Sequence, residues 1–144
     1  MYLKRSLLYF TILLLFTGCV TAINEKNTSS HINTAIHASN NEDWDTSRRH
    51  WAKVVVNANL ANTPEHKMAA FNYEYGRALG VTCYFEDAEK YLNLAYQQDI
   101  NTGGPYYYDL IELARLNLSQ KKWKKSINYF EKAFPMLDTI NAST

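Results

Sequence analysis

Phe85-Glu86-Asp87-Ala88-Glu89-Lys90-Tyr91-Leu92-Asn93-Leu94-Ala95 decides the fold, because its pattern occurs twice more in the 144-residue chain. Trp44-x-x-Ser47-x-x-x-Trp51-x-x-Val54 precedes it, and Trp123-x-x-Ser126-x-x-x-Phe130-x-x-Ala133 follows it. Each reads aromatic, small, large apolar, then small or apolar, at identical spacing. Steps of three and four put these residues on one helical face. A small residue lets a neighbouring helix approach closely, and the large residue one turn on fills the gap. The second small position admits the next element. Recurrence of such a unit is the mark of a stacked repeat.

Outward from the templates the chain reads as helices. Asp45 to about Asn59 places Trp51, Val54, Val55 and Ala58 on one face. Asn62-Thr63-Pro64-Glu65 reads as a helix start, with Thr63 as cap, Pro64 in the first turn and Glu65 complementing the dipole. That helix runs to about Val81 through Met68, Phe71, Tyr75, Ala78 and Leu79. Further helices are expected at about Phe85 to Gln98, Tyr106 to Leu118 and Trp123 to Phe134, with Asn101 to Pro105 as the clearest break. Ile32, Ala35 and Ile36 have i, i+3, i+4 spacing, which starts a first helix near Ser30. No strand-period segment with hairpin chemistry occurs. The expected fold is all-α, a short α-solenoid of antiparallel helical hairpins.

The helices before the templates supply partner surfaces, through Tyr75-Gly76-x-x-Leu79 and Leu113-Ala114-x-x-Asn117. Together these segments resemble the tetratricopeptide repeat, which pairs a large-small dipeptide in its first helix with Ala, a large apolar residue and Ala in its second. The resemblance covers about residues 30–138 and implies two and a half to three repeats, the first recognisable mainly in its second helix. Asn117 departs from the large apolar residue usual at its position. The templates begin at Trp44, Phe85 and Trp123, hence 41 and 38 residues apart, against 34 for the family. The extra residues are expected in the inter-repeat loops near Asn59 to Thr63 and Asn101 to Gly104, and such lengthening is similar to the related Sel1-like repeats. The resemblance also implies a concave face lined by the first helices, on which such proteins bind extended peptides or helices. Its groove positions fall on Tyr73, Arg77 and Gly80, then on Ile111, Arg115 and Leu118. Arg77 and Arg115 in equivalent places suit a carboxylate. Alternatively each covers its own helix or pairs with Glu74 or Glu112.

The first twenty residues set the expected compartment. Lys4 and Arg5 precede an apolar stretch from Leu7 to Phe16, too short to span a bilayer comfortably and patterned as a secretory signal peptide. Leu15-Phe16-Thr17-Gly18-Cys19 resembles the lipobox of bacterial lipoproteins, with Phe16 departing from the usual Leu or Val. That resemblance implies cleavage before Cys19 and a lipid, with acyl chains such as palmitate, on its sulfur. Val20-Thr21-Ala22 offers a rival cut that leaves a soluble secreted protein. The reading is therefore a signal peptide at 1–18 and a lipid-anchored tether with the start of a first helix at 19–41. The repeat domain follows at 42–138 and a tail at 139–144. The protein is expected in the bacterial cell envelope facing the periplasm, on the outer membrane in preference to the inner.

Composition narrows the function. The net charge of +1 becomes −1 when Lys4 and Arg5 leave with the leader, so no basic field invites nucleic acid. His31, His37, His50 and His66 lack metal-ligand spacing. No nucleophile elbow appears, and Glu42, Asp43 and Asp45 lack the rest of a calcium loop. No cofactor, metal or catalysis is called for. The expected function is an adaptor that binds a protein partner. The alternative is a structural or glycan-binding envelope protein that touches peptidoglycan through exposed rings among Tyr106, Tyr107 and Tyr108. Cys83 reads as a buried small hydrophobe. Lys121, Lys122, Lys124 and Lys125 surround a packed Trp123, either as a solvated turn or facing anionic headgroups. An under-capped apolar end after Phe134, where Pro135, Met136, Leu137 and Ile140 begin a brief final helix, favours a homodimer.

Overall fold

The computed structural model describes residues 26–141. The leader, Cys19 and both cleavage sites lie outside the described residues. Within them the chain is a run of six helices: α1 over residues 26–40, α2 Trp44–Leu60, α3 Glu65–Val81, α4 Phe85–Thr102, α5 Tyr107–Ser119 and α6 Trp123–Asn141. They pair as α1/α2, α3/α4 and α5/α6, and no strand occurs among the described residues.

The three small template residues face inward as the close-approach argument requires: Ser47, Ala88 and Ser126 are all buried. A second small residue stands twelve positions before each of them, at Ala35, Gly76 and Ala114, and these too are buried. The pairing is tightest at Gly76, where an added Cβ would lie 2.7 Å from Leu92 Cγ. Leu92 anchors a core with Leu79, Ala88, Leu113 and Leu116, flanked by Tyr73, Tyr75, Phe85, Tyr91 and Tyr129. Trp51, Val54, Ala35 and Ala78 form a second cluster that joins the first hairpin to α3.

The first repeat is thus a full hairpin. Its α1 packs on α2 through Ala35 beneath Trp51, a 2.7 Å hydrogen bond between the Ser39 and Ser47 hydroxyls and a 3.2 Å contact between the Nδ1 atoms of His31 and His50. The boundary expected at residue 42 falls inside this hairpin, and the first helix expected to begin near Ser30 covers residues 26–40.

All five connections close in one way. Glu42, Asn62, Cys83, Gly103 and Lys121 take positive φ, between 50° and 72°. The following residue donates its N–H back to the helix end: Asp43 to Ala38 (2.9 Å), Thr63 to Ala58 (3.0 Å), Tyr84 to Leu79 (2.9 Å), Gly104 to Asp99 (2.8 Å) and Lys122 to Asn117 (2.9 Å). This is the Schellman closure, which satisfies carbonyls that a helix terminus orphans. Only Gly103 adopts the left-handed region without steric cost. At Glu42, Cys83 and Lys121 the conformation costs about 1–2 kcal/mol each.

That geometry corrects several expectations. Cys83 is exposed, because the left-handed turn position holds its side chain off the core. Thr63 does not cap α3. The closure makes Thr63 N–H a donor to the previous helix, and Pro64 becomes the N-cap without a side-chain bond. The extra residues are not in the loops. In both units the connections have four and three residues, while α2 and α3 contribute 17 each and α4 and α5 contribute 18 and 13. The three-residue difference between the spacings lies in the helices. Helix α6 continues through Pro135 to Asn141 instead of ending at Phe134. Proline there forfeits the bond to the Glu131 carbonyl without stopping the helix. Trp123 is 57% exposed rather than packed, and with Ile127 and Phe134 it leaves the outer side of α6 apolar and open.

Candidate functional site

Helix α3 touches α5 across successive hairpins, while the second helices α4 and α6 make no contact as close. The side lined by the first helices is the one that the resemblance to the repeat family makes the inner face. Several hollows lie between the helices, among them one of about 490 Å³ where Thr28, Ser29 and Ile32 face Lys67 and Phe71. A cavity of about 310 Å³ opens between α1 and α3, bounded by Ile36, Ser39, Trp44, Trp51, Glu74 and Arg77. Another, of about 230 Å³, lies between the carboxy-terminal ends of α3 and α5, where Gly80 faces Glu112, Arg115 and Leu118. At the opposite ends of the same helices a hollow of about 180 Å³ is bounded by His66, Tyr73, Asp99, Tyr108 and Asp109.

Arg77 and Arg115 line two of these hollows, and each is tied to a carboxylate one turn back. Arg77 Nη1 lies 3.1 Å from Glu74 Oε2, and its guanidinium sits 5.8 Å from the Trp44 ring and 5.7 Å from the Tyr73 ring. Arg115 Nη1 lies 2.7 Å from Glu112 Oε2, with the arginine side chain 57% exposed and the glutamate nearly buried. Burial pushes the Glu74 carboxyl up, and Arg77 works against that shift. The Tyr73 hydroxyl is pushed up to about 12, chiefly by burial. Tyr73 and Ile111 are half-buried. The two arginines thus stand in separate hollows, with Tyr73 shared between the core and the inner face.

Several polar groups here escape the sequence pattern. Trp51 Nε1 is buried without an acceptor, and the residue is among those lining the α1/α3 cavity with Arg77. Asp109 is 1% exposed, and its Oδ2 has no hydrogen-bond partner. Its carboxyl is pushed up to about 8 by burial and by Asp99, while burial also raises Asp99 itself. The available signal was register, since Asp109 lies four residues before Leu113 on the buried side of α5. Asn117 is also fully buried there, with Nδ2 donating to the Leu113 carbonyl at 2.7 Å. Among the described residues no group of three His, Cys, Asp or Glu is placed to hold a metal ion, and no helix is long and apolar enough to cross a membrane.

Of the tyrosines at the start of α5, Tyr106 meets Tyr96 edge-on at 6.0 Å and Tyr107 packs on Tyr108 at 4.1 Å. Tyr108 is half exposed. The lysines around Trp123 are exposed, and Lys125 pairs with Glu89 of α4.

No protein family's profile and no curated protein sequence matches this chain. Among solved structures it is similar to the tetratricopeptide repeat domain of Arabidopsis FLU, with a TM-score of 0.73 over 81% of this chain and 98% of that one. The fold is that of a tetratricopeptide repeat domain. At 11% identity the likeness concerns the path of the backbone. The tetratricopeptide fold here is carried by the small-residue contacts at Ala35, Gly76 and Ala114 and by their partners in the second helices.

Proposed function

We propose that this chain is a non-catalytic protein-interaction adaptor that holds a partner peptide or helix on the inner face of its three repeats. The observation that carries the reading is the α1/α3 cavity, where the Arg77 guanidinium stands among Trp44, Trp51 and Glu74. A partner carboxylate or peptide carbonyl would be held there by Arg77 with part of its planar fork of donors. Tyr73, Ile111 and Arg115 extend the contact along α3 and α5. Peptides selected on the immobilised full chain from a random display library are expected to lose at least tenfold in affinity on Arg77→Glu with Arg115→Glu, about 1.4 kcal/mol. Undiminished binding by a folded double variant removes the inner-face assignment.

In the same reading a lipid on Cys19 tethers the adaptor to an envelope membrane on its periplasmic side. Two or more acyl chains hold a protein stably, at about 0.8 kcal/mol per buried methylene. Mass spectrometry of the mature amino terminus checks this. A diacylglyceryl cysteine is expected, and an unmodified chain starting at Ile23 excludes the anchor. The exposed Tyr108 ring, stacked on Tyr107, supports the second reading of glycan contact. Binding to purified sacculi that is lost on Tyr108→Ala would favour it.

A further inference from the structure

The geometry points to the hollow between the amino-terminal ends of α3 and α5 as a subsite for one cationic side chain, a lysine ammonium or arginine guanidinium, received by Asp99 and Asp109 beneath the rings of Tyr73 and Tyr108. This deepens the peptide-binding reading and rests on it for the identity of the ligand as part of a partner chain.

The starting point is an acceptor without a donor. Asp109 is almost wholly buried and its Oδ2 is unpartnered, and an unsatisfied buried oxygen is costly to maintain. Asp99 approaches from the end of α4, across the Gly103-Gly104-Pro105 turn, so two carboxyl groups share the hollow. Two carboxylates cannot satisfy each other unless a proton stands between them. Accordingly Asp109 is pushed up to about 8, by burial first and then by Asp99. A shared proton therefore stands where a donor-bearing cation would fit.

The other walls suit the same occupant. Tyr73 of α3 and the half-exposed Tyr108 of α5 are among the lining residues, and aromatic rings attract cations. None of the bounding residues is a lysine or arginine, and His66 on the rim is the one basic group. At about 180 Å³ the hollow is below the size that takes a drug-sized molecule and matches the end of one side chain. Two carboxylates among aromatic rings fall short of the six to eight oxygens of a calcium site. Asp109 Oδ2 is closed to solvent, so entry requires the lining side chains to rearrange locally. As the cation enters, the shared proton leaves to solvent and the charge of the pocket is conserved. The groups that bear on this exchange are His66 and Tyr73 from α3, Asp99 from α4, and Tyr108 and Glu112 from α5.

The test uses the purified full chain and n-butylammonium, with n-butanol as its uncharged counterpart. Amide resonances of Asp99, Gly104 and Asp109 are expected to shift with the ammonium and not with the alcohol. Affinity should rise nearly tenfold per pH unit between pH 6 and 7, with proton release visible by calorimetry in buffers of different ionisation enthalpy. Asp109→Asn, which mimics the protonated acid and keeps its shape, removes both effects. Asp99→Asn weakens them, which ties both effects to the acid pair. No ammonium-specific shift at pH 8, or the same shift in Asp109→Asn, overturns the subsite. If selected peptides bind the inner face but tolerate norleucine at every basic position, the subsite fails and the adaptor reading stands. If n-butylammonium binds and no peptide does, the pocket stands and the adaptor reading fails.

Discussion

Replacing Asp109 by Asn is expected to stabilise the folded protein by about 2–5 kcal/mol at pH 8 and to change it little at pH 4. The sign follows from where the proton resides. In the unfolded chain this carboxyl has its ordinary value near 3.8, and in the fold it is pushed up to about 8. Between those limits the folded state keeps a proton that the unfolded state has released. Stability is therefore fully present below about pH 4 and is lost as the pH climbs, levelling off beyond 8. Asparagine has no proton to lose, and its amide can donate to Asp99 in place of the shared proton. Urea unfolding of parent and variant at pH 4, 6 and 8 measures this directly. A difference between the two proteins that does not widen with pH would mean that Asp109 ionises freely in the fold. Comparing the pair also cancels the contributions of Glu74, raised by burial, and of Asp43, lowered by its bond to Thr46.

The second large effect lies at the closest approach of α3 and α4. Leu92→Ala should cost about 3 kcal/mol, because a fully buried leucine leaves a cavity that the surrounding helices refill only in part. Gly76→Val should cost a comparable amount for the opposite reason. Its Cβ would already stand 2.7 Å from Leu92 Cγ and 3.1 Å from the Leu92 backbone nitrogen, so the added methyls force the helices apart. In the double variant, valine enters the space that leucine vacates, and the combined loss should fall at least 1 kcal/mol short of the sum. Denaturant unfolding of all four proteins completes the cycle. Strict additivity would show that the two positions do not meet.

The fold was largely legible because the repeated signal was a contact requirement rather than a propensity. Ser47, Ala88 and Ser126 are poor markers of hydrophobicity, yet their fixed distance from Trp51, Leu92 and Phe130 specified the side on which helices meet, and all three are buried. Helix α1 was harder to read. It buries Ala35 and Ala38, whose small side chains give little periodic signal, and the bulk that covers them comes from Trp51 on the next helix. Cys83 was misread because burial statistics describe a residue type, while its exposure is set by a left-handed turn position.

The inner face was legible only in part. Repeat register placed Arg77 and Arg115 on it, but the pairing with Glu74 and Glu112 was left as one of two readings, and the unpartnered Trp51 nitrogen is a fact of three dimensions. Asp99 and Asp109 stand on either side of the plainest break in the sequence. Reading that break as a loop gave no hint that the Gly103 closure folds the two acids against each other.

The five self-sufficient turns have a mechanical consequence. Each joint completes its own backbone bonds locally, so neighbouring hairpins are glued mainly by interlocking side chains and the array loosens unit by unit. The outer helix of the last pair shows water Trp123, Ile127 and Phe134, so its amides are expected to open first in hydrogen exchange.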